Sequence, residues 1–286
     1  MNMRKICLLV LILISMISCN EQEIKLPDYS SKLVVEGFIE QDQFPIIYLT
    51  RSNGFYEPVD STSLQKLVVT TARVAISDGN QEEVLTLFRD DSIFPSFYYS
   101  GTDLRGVIGR KYDLSVIIEG ETYFSSTTIT PPALFDSLWF ESIGENDSLG
   151  SVFGKFTDNG TERNFYRVFS RIESNSLEFR PTYQSVAGDE FFDGKSFTFA
   201  ILQGTGSLGT INPEIYFNRG DTVDLKFCTM DRDHFDFWRT IEREQYSTGN
   251  PFASAGNNIV SNIHGDKEAL GVWGGYGASY YRFIIP

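Results

Sequence analysis

The stretch Lys111 to Tyr123, KYDLSVIIEGETY, determines the fold class. Its apolar residues Tyr112, Leu114, Val116 and Ile118 recur at every second position, which is the period of a β-strand with one buried face. Glu119-Gly120 then supplies a turn, and Tyr123 resumes the alternation on the far side. This pattern predicts two neighbouring antiparallel strands.

Similar patterns occur upstream of this hairpin. Apolar residues alternate from Leu33 to Ile39, and again from Ala72 to Ile76 before Asp78-Gly79, a strong hairpin turn signal. Gly109 and Tyr112 occupy the positions of a tyrosine corner at the start of a sandwich strand. Short strands with regular turn signals predict an immunoglobulin-like or carboxypeptidase-regulatory-like β-sandwich over residues 32–130.

The rest of the chain predicts a second β-rich domain over residues 131–286 with one helix. Thr130-Pro131-Pro132 is typical of a linker, because proline cannot continue a central strand. Asp231 or Asp233 is positioned to cap a helix near residues 231–246, in which apolar side chains recur at helical spacing. The fold class is therefore mostly β, with an N-terminal sandwich followed by this second domain.

The N-terminus has the pattern of an export signal. Residues 6–14 form an apolar run of about 14 Å as a helix, too short for a bilayer core of about 30 Å. Arg4 and Lys5 precede this run and small residues follow it, which predicts a signal peptide over residues 1–18. Cys19 stands at the predicted cleavage site, where a lipoprotein carries its acyl chains. Ordinary cleavage beside a chance cysteine is the alternative, and residues 19–31 are interpreted as a polar tether.

Charge and cysteine content narrow the function classes. The formal net charge is −14, which opposes binding to nucleic acid and to anionic lipid headgroups. The three cysteines are Cys7 in the leader, Cys19 and Cys228, so the mature chain has no pair left for an internal disulfide. Cys228 lies in an alternating strand and is expected to be a buried, inert thiol.

Several segments, taken in order, resemble the Bacteroidota outer-membrane lipoproteins known as domain of unknown function 4249. The resemblance implies no reaction, no cofactor and no catalytic residues. It implies a place beside a TonB-dependent outer-membrane receptor, with an N-terminal lipid anchor at the cell surface or on the periplasmic face. The segments are LVVEGFI (33–39), RVAISDG (73–79), GVIGRKYDLSV (106–116), TPPALFDSLWF (130–140), TDNGTERNFYRV (157–168), GDTVDLKF (220–227) and NIHGDKEALGVWGGYGASYY (262–281).

Candidate binding residues lie near the C-terminus. Glycines at 271–277 permit close approach of a partner, and Trp273 and Tyr276 are candidate aromatic anchors; the alternative is that both pack inside the second domain. His264 is a further candidate, with a loop histidine as the alternative. His234, in the first turn of the predicted helix, is expected to be exposed.

No motif supports a metal or nucleotide site. Neither histidine has metal-ligand spacing, and the loop Asp158 to Glu162 is explained by a turn at least as well as by calcium. Gly204 to Gly209 spells a dinucleotide fingerprint but lacks the helix that should follow it. Four Asp-Ser or Asp-Thr pairs, at 91, 136, 147 and 221, match a short O-glycosylation signal that chance also produces.

These observations favour a non-catalytic accessory or binding lipoprotein of a TonB-dependent receptor in nutrient uptake. A surface hydrolase of glycans or peptides is the main alternative, and its sign would be a polar cleft containing His264. A structural or adhesive envelope lipoprotein is the third possibility.

Overall fold

The computed structural model describes residues 30–54, 60–143, 146–174, 178–204, 215–247 and 259–286. The predicted signal peptide, Cys19 and the tether up to residue 29 lie outside the described residues, as do residues 205–209 of the glycine motif. Of the described helices, none has the length and apolar character needed to cross a membrane.

The described residues are mostly β-strand, which confirms the predicted fold class. The helices are α1 (Ser61–Lys66) and α2 (Arg232–Ser247). The strands are β1 (Leu33–Glu40), β2 (Ile46–Arg51), β3 (Arg73–Ser77), β4 (Glu82–Val84), β5 (Thr86–Arg89), β6 (Phe97–Ser100), β7 (Lys111–Ile118), β8 (Glu121–Thr128), β9 (Phe135–Ile143), β10 (Asn146–Thr157), β11 (Phe165–Ile172), β12 (Arg180–Gly188), β13 (Ser196–Ile201), β14 (Phe217–Asn218), β15 (Thr222–Met230), β16 (His264–Gly265) and β17 (Ala269–Ile284).

These strands form three sheets. The largest has the order β12-β11-β15-β17-β1-β2-β6-β5, and the second has the order β16-β8-β7-β3-β4. In the third, the order is β13-β10-β14, and β9 also pairs with β10. The hairpin predicted from residues 111–123 is confirmed, since β7 and β8 pair antiparallel with Ile118 opposite Glu121.

Hydrogen bonds also confirm the tyrosine corner and the turn that were predicted from the sequence. The Tyr112 hydroxyl donates to the Arg105 carbonyl oxygen at 3.0 Å and accepts from the Val107 amide at 2.8 Å, which confirms the tyrosine corner. At the predicted Asp78-Gly79 turn, the Asp78 carboxylate accepts from the backbone amides of Asn80 and Gln81, both at 3.0 Å. These contacts fix the entry of β7 and the β3–β4 hairpin.

Strand β17 joins the two parts of the chain. Its first half pairs parallel with β1, with Leu33 opposite Ala269, and its second half pairs antiparallel with β15, with Thr229 opposite Gly277. The sequence division into residues 32–130 and 131–286 therefore separates strands that share one sheet. Residues 31–286 form one compact unit, and Thr130 to Pro132 connect β8 to β9.

The large sheet has two differently covered faces, because successive side chains of a strand point to opposite sides. On one face, Leu33, Val35 and Trp273 pack in a core with the five-stranded sheet, and Leu225 and Phe227 pack in a second core with the four-stranded sheet. On the opposite face, a smaller cluster that includes Tyr276 packs against Phe235 of α2. We call this opposite face the helix face; it contains the candidate site.

Candidate functional site

A cavity of about 420 Å³ lies on the helix face of the large sheet. Strands β1, β11, β15 and β17 contribute to its wall, and α2 covers one side. Its lining combines aromatic rings with three charged side chains. The rings are Phe38, Phe169, Phe179, Trp238 and Tyr276, and the charged residues are Glu36, Arg167 and Lys226.

Arg167 is the central charged group of this cavity. It stands on β11 among apolar residues and is only 3% exposed. Its Nη1 donates to the Tyr276 hydroxyl at 2.8 Å and its Nε donates to Ser185 Oγ at 3.2 Å. Within the described part of the chain, Nη2 makes no hydrogen bond. A guanidinium with an unused donor in a cavity is well suited to an oxyanion.

Aromatic rings hold the plane of this guanidinium. The Arg167 Cζ atom lies 3.6 Å from the centre of the Trp238 ring and 4.8 Å from the centre of the Phe169 ring. Cation–π contacts of this kind stabilise a partly desolvated charge and restrict its rotation. The Arg167 donors are therefore fixed in direction before any ligand arrives.

A hydrogen-bond network that includes Glu242 of α2 also holds Arg167. Ser185 donates from its hydroxyl to Glu242 Oε1 at 2.5 Å and from its backbone amide at 3.0 Å. Burial raises the pKa of the Glu242 carboxyl, while the hydrogen bonds from Ser185 and the charge of Arg167 oppose that shift. Ser185 thus links Arg167 to the helix and positions Nε.

Lys226 and Glu40 form a buried ion pair at the edge of the cavity. Their side chains are 11% and 5% exposed, and Lys226 Nζ lies 3.3 Å from Glu40 Oε2. The Tyr280 hydroxyl also donates to Glu40, and burial followed by this hydrogen bond raises the pKa of Tyr280. Because Glu40 already balances Lys226, Arg167 is the cation with charge available to a ligand.

Glu36 is an acid that faces the cavity from β1. Its side chain is solvent-exposed, and it has no hydrogen-bond partner in the residues that the structure describes. The cavity walls displace much of its surrounding water and raise its pKa, while the positive charge of Arg167 acts in the opposite direction. Glu36 therefore offers an acceptor when ionised and a donor when protonated.

His234 is fully buried, so the expectation that it is exposed is wrong. Its ring packs on Gly274, where a Cβ atom would lie 2.0 Å from Nδ1, and its ring centre is 4.5 Å from that of Tyr276. Burial and then the charge of Arg167 lower the pKa of His234 to about 3. The imidazole is thus neutral at physiological pH. Asp231 caps the helix through a hydrogen bond from the His234 amide at 3.0 Å.

The three residues singled out near the C-terminus fall in different places. Tyr276 lines the cavity and accepts from Arg167. Trp273 points to the other side of β17, is fully buried, and donates from Nε1 to the Tyr112 carbonyl oxygen at 3.0 Å. Trp273 is therefore not available as a binding anchor; it is a packed side chain, as in the alternative, but in the core with the five-stranded sheet and not in a second domain. His264 is exposed on β16 of the five-stranded sheet, and its ring centre lies 6.0 Å from that of Phe124.

In the acidic loop that begins at Asp158, the Asp158 carboxylate lies close to the carboxylates of Asp189 and Asp193. Asp158, Asp189 and Asp193 bring ligand atoms within 4.8 Å of one another. However, Asp158 accepts from the Tyr166 hydroxyl and from the Gly194 amide at 2.7 Å. Asp189 accepts from Arg163 at 3.0 Å and from the Asn164 amide at 2.7 Å. Protein donors already hold the two buried carboxylates, and we assign no ion to them.

Cys228 is buried on β15, as expected. It is 0% exposed, and burial raises the pKa of its thiol to about 12, so it has no nucleophilic thiolate at physiological pH.

The family model described as Domain of unknown function (DUF4249) matches residues 20–282. No curated protein matches the chain. Among solved structures, a crystal structure of the selenomethionine-substituted chicken interferon gamma receptor alpha chain is 8% identical, covering 71% of this chain and 90% of its own. Its TM-score is 0.18, so it supports no argument here.

Proposed function

The chain belongs to the family described as Domain of unknown function (DUF4249), and on that premise we propose that it is a binding lipoprotein. Its Arg167 cavity takes a small ligand that carries a carboxylate. Cys19 carries the lipid that anchors it in the outer membrane, with the cell surface as the preferred side. There it acts as a non-catalytic accessory component of a TonB-dependent receptor in nutrient uptake.

The geometry of Arg167 is the observation that supports a carboxylate ligand. Its guanidinium lies against Trp238, is held by Tyr276 and Ser185, and keeps Nη2 for a partner. A carboxylate accepts from such a group in a charge-assisted hydrogen bond, typically worth about 1.5–3 kcal/mol. The surrounding rings of Phe169 and Phe179 provide apolar contact for the remainder of the ligand.

The lining also favours binding over hydrolysis. His234, the histidine at this cavity, is neutral and packed against Gly274. Among the described residues that line the cavity, Tyr276 carries the hydroxyl group, and burial raises its pKa. A hydrolase would need an activated nucleophile beside a base. The hydrolase proposal with His264 concerns a different sheet and is kept as the alternative.

A matched set of probes tests the ligand class. Phenylacetate, phenylacetamide and phenethylamine share a ring and differ in the charge of the end group. The full chain, purified in mild detergent, is unfolded thermally with each probe at equal concentration. We expect phenylacetate alone to raise the unfolding temperature, and Arg167→Gln to abolish that rise. Arg282→Gln is the matched control, since Arg282 lies on β17 outside the cavity lining and pairs with Asp224 at 2.8 Å. Equal shifts with all three probes would overturn the proposed ligand class.

Co-purification tests the receptor association. The tagged chain is solubilised from its own membranes in mild detergent, with and without crosslinking, and its partners are identified by mass spectrometry. A stoichiometric TonB-dependent barrel supports the accessory role. Recovery of the chain alone under both conditions would contradict it and favour the enzyme or envelope alternatives.

A further inference from the structure

A second cavity, of about 370 Å³, lies on the opposite side of β11 from Arg167. It lies between strands β11 and β12 of the large sheet and the four-stranded sheet. Its lining is dominated by aromatic rings, in contrast to the charged cavity on the helix face. These rings belong to Phe156, Tyr166, Tyr183, Phe192, Phe197, Phe199 and Phe227.

An irregularity in β12 makes room for this cavity. Arg167 pairs with Val186, but Phe169 pairs with Pro181, so residues 182–185 bulge out of the ladder opposite Val168. Gln184 within the bulge has a φ of 51°, in the left-handed region. A bulge bends its strand and separates it from its neighbour. The four bulged residues all line the cavity.

The polar groups around the cavity are already bonded. Thr182 donates to the Val168 carbonyl oxygen at 3.1 Å, and the Tyr166 hydroxyl donates to Asp158. Ser185 is bonded to Arg167 and Glu242 on the helix face. Among the lining residues that the structure describes, the ionisable side chains are those of Tyr166 and Tyr183. The cavity therefore offers little to an ion and a large apolar surface to an uncharged molecule.

The cavity is open to solvent at its β12–β13 end. Phe197 is 37% exposed there and stacks on Phe192 with a ring separation of 4.4 Å. Ala187 on β12 also lines the cavity and is exposed, and its side chain is small. A ligand can thus enter without displacing a core residue.

We propose that this second cavity is a binding site for an uncharged alkyl chain. The proposal rests on the aromatic lining, the bonded polar groups and the solvent-open end, and it does not depend on the Arg167 site. Burial of each methylene group contributes about 0.8 kcal/mol, so a short chain is sufficient for measurable binding. An alkyl chain that ends in a polar group would leave that group at the opening beside Gln184.

Photolabelling tests this proposal in detergent. The full chain is irradiated with an uncharged alkyl diazirine, and the labelled residues are mapped by mass spectrometry. We expect labels to concentrate on β12 and β13 around Ala187 and Phe197. Ala187→Trp fills the cavity and should reduce labelling there at least tenfold. Thr198→Trp, on β13 but outside the lining, should leave it unchanged.

Further controls separate this site from the Arg167 site. Tyr276→Phe should retain the labelling, because Tyr276 lies on the helix face and does not line the second cavity. Val168→Phe, on β11 opposite the bulge and facing the cavity, provides a second filling variant if Ala187→Trp fails to fold. Labelling that spreads evenly over the surface, or that persists at β12 and β13 in both folded filling variants, would overturn the proposal.

Discussion

The guanidinium of Arg167 stacks on the indole of Trp238, with 3.6 Å between Cζ and the ring centre. The two residues come from β11 and α2, so packing of the helix on the sheet creates the contact. The same helix supplies Glu242, which holds Ser185 against Arg167. The orientation of the cation is therefore a property of the fold and not of a ligand.

Replacing Arg167 by lysine tests whether shape or charge matters. Lysine keeps the positive charge but loses the planar fork and the stacked position, so we expect at least a tenfold loss of phenylacetate affinity, or about 1.4 kcal/mol. Titration calorimetry measures the change. Arg282→Lys should alter the affinity by less than about twofold, because Arg282 is engaged with Asp224 and does not line the cavity. An Arg167→Lys variant that binds like the unmodified chain would show that net charge alone attracts the probe.

The buried pair Lys226–Glu40 should couple strongly in a double-mutant cycle. Lys226→Met leaves the Glu40 carboxylate buried with the Tyr280 hydroxyl as its remaining partner, and we expect a loss of about 3 kcal/mol in the free energy of unfolding. Adding Glu40→Gln should recover part of that loss, because the uncompensated charge is gone. Denaturant unfolding measures all four proteins. Strictly additive effects of the two substitutions would be inconsistent with the ion pair.

His234 should make the protein less stable as the pH falls below about 6.5. Its pKa is about 3 in the folded chain and about 6.5 when unfolded, so the unfolded chain binds the extra proton between these values. His234 alone then lowers the free energy of unfolding by about 1.4 kcal/mol for each unit by which the pH falls in this range.

Comparison with His234→Gln isolates this effect. The shifted carboxyls of Glu36, Glu242 and Asp231 are common to both proteins and largely cancel. From pH 7 to pH 5, the stability advantage of the unmodified chain over the variant should shrink by about 2 kcal/mol. A constant difference across this range would mean that the imidazole is accessible to protons in the folded state.

Trp273 should contribute to stability rather than to binding. It is completely buried in the first core, and its indole NH is bonded to Tyr112. Trp273→Ala should reduce the free energy of unfolding by about 3–5 kcal/mol, as for other large-to-small core substitutions. Chemical denaturation provides the measurement. Tyr276→Phe is the contrasting variant, since it removes the hydroxyl that accepts from Arg167 and should weaken phenylacetate binding more than stability. A fully stable Trp273→Ala protein would contradict the assigned core position.

Sequence patterns predicted the local elements well. The alternation around Tyr112 and Leu114 located β7, and the cap and helical spacing predicted a helix at 231–246 where α2 spans Arg232–Ser247. These signals are local, because a strand or helix must turn its apolar side chains to one face. The parallel pairing of β1 with β17 could not be predicted, since nothing in either segment specifies a partner at the other end of the chain.

The Arg167 cavity was harder to predict, because its residues come from distant segments of the chain. Glu36 and Glu40 alternate with buried residues of β1, so they have the pattern of a solvent face. Arg167 interrupts an apolar strand, and this was a usable signal, because a buried arginine requires partners. Those partners, Ser185 and Tyr276, come from β12 and β17, and only the tertiary fold brings them together.

A crystal structure of the chain with phenylacetate would show directly whether Arg167 binds a carboxylate. We expect the probe in the cavity on the helix face, with a carboxylate oxygen about 2.7–2.9 Å from Arg167 Nη2. Its ring should lie among Phe169, Phe179 and Trp238. A structure in which the carboxylate binds elsewhere at full occupancy, with the Arg167 cavity empty, would overturn the assignment of this cavity as the carboxylate site.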